Sequence, residues 1–518
     1  MANLFDTAAA LQWGAASAFR GAEFNRLSAD RWAAASHPDT EIQYAARTLR
    51  ARARDLVRNN PYAAGLVEAA ADNIVGWEGI RLKPLVMLPS GEPNRPVNWA
   101  LETGWKDWGT DHATVDGVET WYELQRLMVK SWWTDGEVFL RRRRGWDNPF
   151  GYAVEMIDPD LLDEDLNEKR GRAGREIVMG VELDDVGRPV AYHFWTEHPD
   201  NLGASRKRER IEAREIRHLF TRYRAGQHRG YSPFAPILTT VEGIDGMTEA
   251  ELVASRYHAS KMGLISNNTP EAIEAYATRL RMQNEDGKES SPRRMKIAPG
   301  LMQELQPGQE FTAFDPTHPN TAFDPFLKTM LRGVARGFGM SYLTLTGDVA
   351  EANYSSMRAG LLPERDHWRV LQNVVSSRVH RWIYRDFVDM GLLTRALRLP
   401  SSMPEDYYAA EWRGRRWQWV DPSNDLEAFE REVAMGLNSR QRGASDRGLD
   451  FETVVDETAD DLDYAQKASV DVTGLGKKQP APAPVGPPPQ EPGKGNGNGK
   501  GPKAGRLTSS QLDFYGGR

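Results

Sequence analysis

The sequence predicts an α+β subunit on three observations. Residues 41–229 interleave amphipathic helical stretches with short alternating strands and turn dipeptides, the pattern of helices packed on a mainly antiparallel sheet. Residues 230–347 read as a helix, an irregular segment and a second helix, set between two mixed blocks. From about residue 467 the chain is rich in Pro, Gly and Lys and has too little apolar surface to fold alone. The bulk numbers fit this plan. A length of 518 residues suits two or three domains, and a hydrophobic fraction of 40% supports a real core. The net charge of −7 argues against a basic nucleic-acid coat. The absence of cysteine excludes disulfides, thiolate metal sites and cysteine nucleophiles, and fits a reducing compartment. No run approaches the roughly 18 apolar residues of a membrane span, and residues 1–6 lack the basic-then-apolar pattern of a leader.

In chain order, residues 1–40 form an Ala-rich arm that needs a partner surface to order. A helix over 41–58 carries Arg47, Arg50, Arg52, Arg54 and Arg58, read as distributed around it. Asn60 caps the next helix and Pro61 opens it, and the pattern continues to Gly76. Strands follow at 79–84, 137–143, 152–157, 177–183, 190–195 and 216–220, with 177–183 and 190–195 as a hairpin. Trp-rich helices occupy 101–108 and 121–133.

The central pair comes next. Ser232 reads as the cap and Pro233 as the first turn of a helix to about Gly263. Residues 271–282 read as helix, and 295–297 and 308–314 as strands. Asp324 and Pro325 open the second long helix, whose apolar stripe runs Phe326, Leu327, Met330, Leu331, Val334 and Phe338. Lys328, Arg332 and Arg336, four residues apart, make a basic ridge on its opposite face. A long helical region over 354–390 should kink or split at Pro363. Short strands at 397–400 and 412–420 and a helical unit over 421–466 complete the ordered chain.

No motif carries catalysis. The sequence has no Gly-x-x-x-x-Gly-Lys-Ser/Thr loop for phosphates, no His-Glu-x-x-His and no Gly-x-Ser-x-Gly. Asp158, Asp160, Asp163, Glu164 and Asp165 contain enough carboxylates for a hard cation, but Pro159, Lys169 and Arg170 mark the stretch as an exposed turn rather than a metal site. Arg141, Arg142, Arg143 and Arg144 read as a solvated strand end or as a contact to phosphate or to a neighbouring subunit's carboxylates.

Several segments, in order, resemble the lambda-like tailed-phage portal proteins. They are 52–65 (RARDLVRNNPYAAG), 72–76 (DNIVG), 133–140 (WTDGEVFL), 156–159 (MIDP), 187–192 (GRPVAY), 226–233 (GQHRGYSP), 339–348 and 353–358 (NYSSMR). The resemblance spans about residues 45–440. It implies a non-catalytic dodecameric ring at one capsid vertex, through which double-stranded DNA is packaged and ejected. It implies no cofactor and no metal. The partners it implies are the large terminase, the major capsid protein or scaffold, and a head-completion or adaptor protein, with no membrane. The chain would reside in the virion, and in the host cytoplasm during assembly.

In that order of parts, 1–40 is an arm, 41–229 the wing, 230–266 stem helix 1, 267–315 the clip and 316–347 stem helix 2. Residues 348–420 hold the tunnel loop and wing helix, 421–466 the crown and 467–518 a basic tail. Lys328, Arg332 and Arg336 are then candidates to line the DNA channel, Asp348, Glu351 and Asn353 to form the tunnel loop, and Arg293, Arg294 and Lys296 to face the terminase. Twelve helices about 10 Å wide side by side set a ring about 38 Å across between helix centres and leave a bore of about 28 Å, wide enough for a duplex of about 20 Å. The alternatives are a head–tail adaptor, which the length and the helix–clip–helix order disfavour, and a metal-dependent DNA-processing enzyme built on the acidic stretch around Asp163.

Overall fold

A computed structural model of the chain describes residues 36–468, apart from 170–174, 202, 204–206, 260–262, 268–269, 272–273, 276–277, 279–308, 314–321, 351–353, 402 and 418–421. It divides into two units, Met1–Gly448 and Leu449–Arg518.

Helix α1 (Pro38–Asn59) opens with proline in its first turn. Asn60 then caps α2 (Pro61–Ile74) by accepting from the Ala63 N–H at 2.9 Å. Strand β1 (Arg81–Pro84) leads to α3 (Arg95–Asp111), which starts earlier than its apolar pattern predicts because Pro96 sets the first turn. Helix α4 (Trp121–Asp135) has a capping box between Thr120 and Glu123 and stops at Gly136, which is left-handed at φ 93°. The tryptophans of α3 and α4 form an aromatic cluster. Trp105 lies 4.8 Å from Trp108 and 6.1 Å from Trp121 between ring centres, with Phe387 edge-on at 5.2 Å.

The strands form separate sheets rather than one. Strand β2 (Glu137–Arg144) is central, between β3 (Tyr152–Ile157) and β8 (Ile216–Phe220). The second sheet is β4 (Glu176–Val178), β5 (Val181–Leu183), β6 (Pro189–Trp195) and β7 (Arg208–Glu212), antiparallel throughout. The single strand expected over 177–183 is two, because Met179 and Gly180 turn the chain at φ 46° and 80°. Strand β7 escapes a hydrophobicity reading because Ile211 is the one buried residue among its charges.

Ser232 does not cap the first central helix. Its Oγ accepts from the Phe234 N–H at 3.2 Å and closes a turn, and α5 (Leu238–Ala259) begins two residues beyond Pro236. After it, β9 (Gly263–Asn267) pairs antiparallel with β10 (Gln309–Ala313), Gly263 opposite Ala313 and Asn267 opposite Gln309. The helix expected to run to about Gly263 ends at Ala259, and β9, which its pattern does not announce, begins at Gly263. The strand expected at 295–297 and most of the helix expected at 271–282 lie outside the described residues. Helix α6 (Phe323–Gly337) has Ala322 at its cap position, and Asp324 sits inside the first turn instead of capping it. A short α7 (Tyr342–Thr346) is capped by Ser341 and ended by left-handed Gly347.

Helix α8 (Tyr354–Val375) runs through Pro363 without a break. Pro363 and Ala359 are both exposed, so water can satisfy the carbonyl that the missing N–H leaves free. The discontinuity comes later, at a π-helical turn, Ser376–His380, before α9 (Arg381–Thr394). The strand expected at 397–400 is a turn tied to α9 by the Leu397 N–H on the Gly391 carbonyl at 2.9 Å. Strand β11 (Ala410–Arg413) pairs with β1 and stops short of the expected 412–420. Helices α10 (Pro422–Ala434) and α11 (Arg440–Asp446) close the first unit, and α12 (Phe451–Lys467) is the described part of the second. The main core joins α2–α6 to α8 and α9, and a smaller one around Phe139, Tyr192, Phe194 and Ile216 lies between the sheets.

Candidate functional site

The central helices are anchored in the main core at one end. Phe338, at the end of α6, stacks on Trp133 at 5.4 Å and meets Phe234 edge-on at 4.7 Å, while Trp133 lies 5.7 Å from Trp368 of α8. Val241 and Ile244 of α5 are buried with Leu331 and Val334 of α6. Gly337 permits the close approach, since a Cβ there would sit 2.8 Å from Ile237 Cγ2. Toward the start of α6 the burial fades, and Phe326 is 48% exposed although the stripe reading placed it in the core.

The ridge divides in two. Lys328 Nζ lies 3.0 Å from Asp324 Oδ2, and the Arg332 guanidinium sits 5.4 Å over the Tyr342 ring. The Tyr342 hydroxyl donates to Asp348 Oδ2 at 3.2 Å. A hydrogen bond from the Ala350 N–H, the Tyr342 contact and the charges of Lys328 and Arg332 hold the Asp348 carboxyl below its ordinary range. Arg336 is exposed. Lys328 and Arg332 thus share the neighbourhood of Asp348, and Arg336 presents itself to solvent a turn further on. Buried Glu364 braces this corner. It accepts from the Ser341 N–H at 3.0 Å, the Thr344 hydroxyl at 2.8 Å and Trp368 Nε1 at 3.1 Å, tying α7 to α8. Glu351, Asn353, Arg293, Arg294 and Lys296 lie outside the described residues.

The acidic stretch around Asp163 has a different role from a metal site. Arg47, Arg50 and Arg54 stand on one face of α1, as their spacing of three and four requires, and not distributed around the helix as the sequence suggests. Arg47 binds Glu164 at 2.7 Å and Asp165 at 3.1 Å. Arg50, 2% exposed, bonds Asp160 and Glu164. Arg54 reaches Asp135 at 2.6 Å, Asp158 at 2.8 Å and Asp160 at 2.6 Å. Lone pairs that a cation would need are taken by guanidinium groups.

Beneath lies Glu137, fully buried. Burial works to raise its pKa, but Arg229 and His218 outweigh burial and hold the carboxyl well below the usual range. Arg229 Nη2 is 2.5 Å from it, His218 Nε2 3.0 Å and the Gly230 N–H 2.9 Å. Gly136 and Gly230 bring these segments together, for a Cβ on Gly230 would lie 2.3 Å from the Gly136 carbonyl oxygen. The segments 133–140 and 226–233, two of those that carry the resemblance, therefore grip one another around one buried ion pair. Sequence reasoning missed the pairing because Glu137 and Arg229 are far apart along the chain.

The arginine run is also paired within the subunit. Arg142 bonds Asp386 at 2.9 Å, Arg144 bonds Asp386 and lies 3.2 Å from Asp389, Arg141 meets Glu209 at 2.9 Å, and Arg143 meets Glu155 at 3.5 Å. Carboxylates of the same chain pair the run, and the strand end is not simply solvated.

The two central helices are thus anchored in the main core at one end, and β9 pairs with β10 between them. A family model described as phage portal protein, lambda family, matches residues 24–372. The chain belongs to that family. Its relatives include a probable portal protein of Halomonas phage phiHAP-1, 28% identical over 419 residues that cover 80% of each chain. Portal protein B of Escherichia phage lambda is 23% identical over 446 residues, 78% of this chain and 81% of that one. Among solved structures, the neck of an empty gene transfer agent particle computed with C6 symmetry aligns at a TM-score of 0.46 and 15% identity, covering 80% of this chain and 99% of that one. The subunit is a phage portal protein, a structural virion component of the capsid vertex that forms a homo-oligomeric ring, and not an enzyme.

Proposed function

We propose that twelve copies form the ring, that α5 and α6 are its stem, and that double-stranded DNA passes between the α6 helices during packaging and ejection. The observation that carries this reading is the pair of core-anchored helices whose outer ends lead into the antiparallel β9–β10 clasp, so the chain leaves and re-enters the stem at one place. The segment beyond the clasp is the clip. It carries Arg293, Arg294 and Lys296 toward the large terminase, which the head-completion or adaptor protein later replaces. The wing meets the major capsid protein or scaffold, 421–466 is the crown, and assembly takes place in the host cytoplasm.

Lys328, Arg332 and Arg336 line the channel as rings of positive charge within a strongly acidic assembly, with Arg336 as the leading contact because the other two share their charge with Asp324 and Asp348. Each phosphate contact adds a salt-sensitive term, so such rings reduce repulsion without gripping the duplex. Residues 348–353 form the tunnel loop, whose base the Asp348 contacts hold to the stem. The test is Arg336→Glu against Arg336→Ala. In both variants intact rings should form. Packaged genome length should fall most in the glutamate variant, and normal packaging there would refute the channel assignment.

A further inference from the structure

A groove of about 660 Å³ runs between β11 and the junction of α8 and α9. One wall is the chain from Ala409 to Trp412, consecutive residues that all border the space. Side chains of a strand alternate between faces, so a run of consecutive lining residues means that the strand turns its edge to the groove. Strand β11 has a single partner, β1, and among the described residues no strand pairs with its other edge. Such an edge carries backbone N–H and C=O groups ready for another chain.

The opposite wall is the π-helical turn with Ser376 and Ser377, a feature concentrated at functional sites. Arginines dominate the charge. Arg369 and Arg381 are exposed at the rim, and Arg416 stands with its buried Nε lacking a hydrogen-bond partner among the described residues. Arg369 also bonds Asp366 at 3.1 Å on its own helix. Glu411 is the only carboxylate among the lining residues, and it lies 3.8 Å from Arg413. Burial and the neighbouring Arg369 charge both push Arg416 below the ordinary arginine range, which signals more positive charge than the fold offsets locally.

We propose that this groove docks an extended acidic segment of a partner protein, which adds a strand along the open edge of β11 and places carboxylates on Arg369, Arg381 and Arg416. The strand edge selects a peptide over a nucleic acid, because its alternating donors and acceptors match a peptide backbone and not a phosphodiester. Four residues of β11 offer an edge of about 13 Å, enough for about four residues of partner strand.

The test uses the purified full-length protein and a fluorescein-labelled peptide of alternating glutamate and valine, followed by anisotropy. Binding is expected. It should weaken at least tenfold in the double variant Arg369→Glu/Arg381→Glu, whose sites are exposed, and stay within about threefold in Arg369→Lys/Arg381→Lys. A peptide of the same charge N-methylated at alternate residues should also lose at least tenfold, since it cannot donate to the edge. Equal binding of the methylated peptide would overturn the strand addition. Displacement of the peptide by duplex DNA at matched charge would reassign the groove to nucleic acid. Failure of the peptide to bind, with ring assembly lost in the glutamate variant, would assign the groove to a second copy of this chain and overturn the proposal.

Discussion

Helices α1 and α6 both carry a row of cations at helical spacing, yet the two rows do opposite work. On α1 the row faces inward. Arg50 is almost fully buried, and Arg47, Arg50 and Arg54 share the carboxylates of Asp135, Asp158, Asp160, Glu164 and Asp165. On α6 the row lies beside a shallow, partly solvated corner and ends in exposed Arg336. Spacing alone therefore says which residues share a face and nothing about what that face meets. The meeting partner is set by residues 81 to 118 positions away for α1, and by the next turn of chain for α6.

The sharpest way to break the comparison is to remove the buried cation. Arg50→Met leaves Glu137, Asp160 and Glu164 short of a counter-charge inside the fold, and should cost about 3–5 kcal/mol of unfolding free energy, read by urea denaturation. A loss below about 1 kcal/mol would mean that the α1 row is no more structural than the α6 row.

A second test uses buried His380, which packs between Trp121 at 5.3 Å and Trp412 at 5.0 Å at the π-helical turn. Burial holds its pKa down to about 3 from an ordinary 6.5, only partly opposed by the Val375 carbonyl. Between those values the unfolded chain binds a proton that the folded chain refuses, so stability falls as the pH falls. His380 contributes about 1.4 kcal/mol per pH unit to that slope. His380→Gln should remove this share from a stability profile measured over pH 6.5 to 3.

Half-exposed contacts should matter less. Arg47→Ala, at the solvent end of the α1 row, is expected to cost under about 1 kcal/mol in the same denaturation assay. Arg336→Ala should leave stability within about 0.5 kcal/mol, because the side chain is exposed and forms no ion pair among the described residues.

Much of this was legible in the residues. The Asn60–Pro61 boundary follows from cap chemistry, and the tryptophan-rich helices, the central strand at 137 and the two long central helices follow from turns and periodicity. Other features were not. Strand β7 hides because charge dominates its five residues, and β9 hides because its chain continues directly from a helix pattern. The helix runs on through Pro363, where the freed Ala359 carbonyl faces water, and the discontinuity lies instead at the π-helical turn, where Val379 and His380 are buried. The spacing of Arg47, Arg50 and Arg54 did contain their common face. The Glu137–Arg229 pair did not show, because long-range partners leave no local trace.

The central claim is that the α6 ridge meets DNA while the α1 row holds the wing together. The chain has no cysteine, so single substitutions give unique attachment sites. Arg336→Cys and, separately, Arg47→Cys would each bear a photoactivatable cross-linker, in rings incorporated into filled particles. Cross-linking of packaged DNA to position 336 and none to position 47 is the predicted result. Equal labelling of both positions, or DNA captured only from position 47, would contradict it.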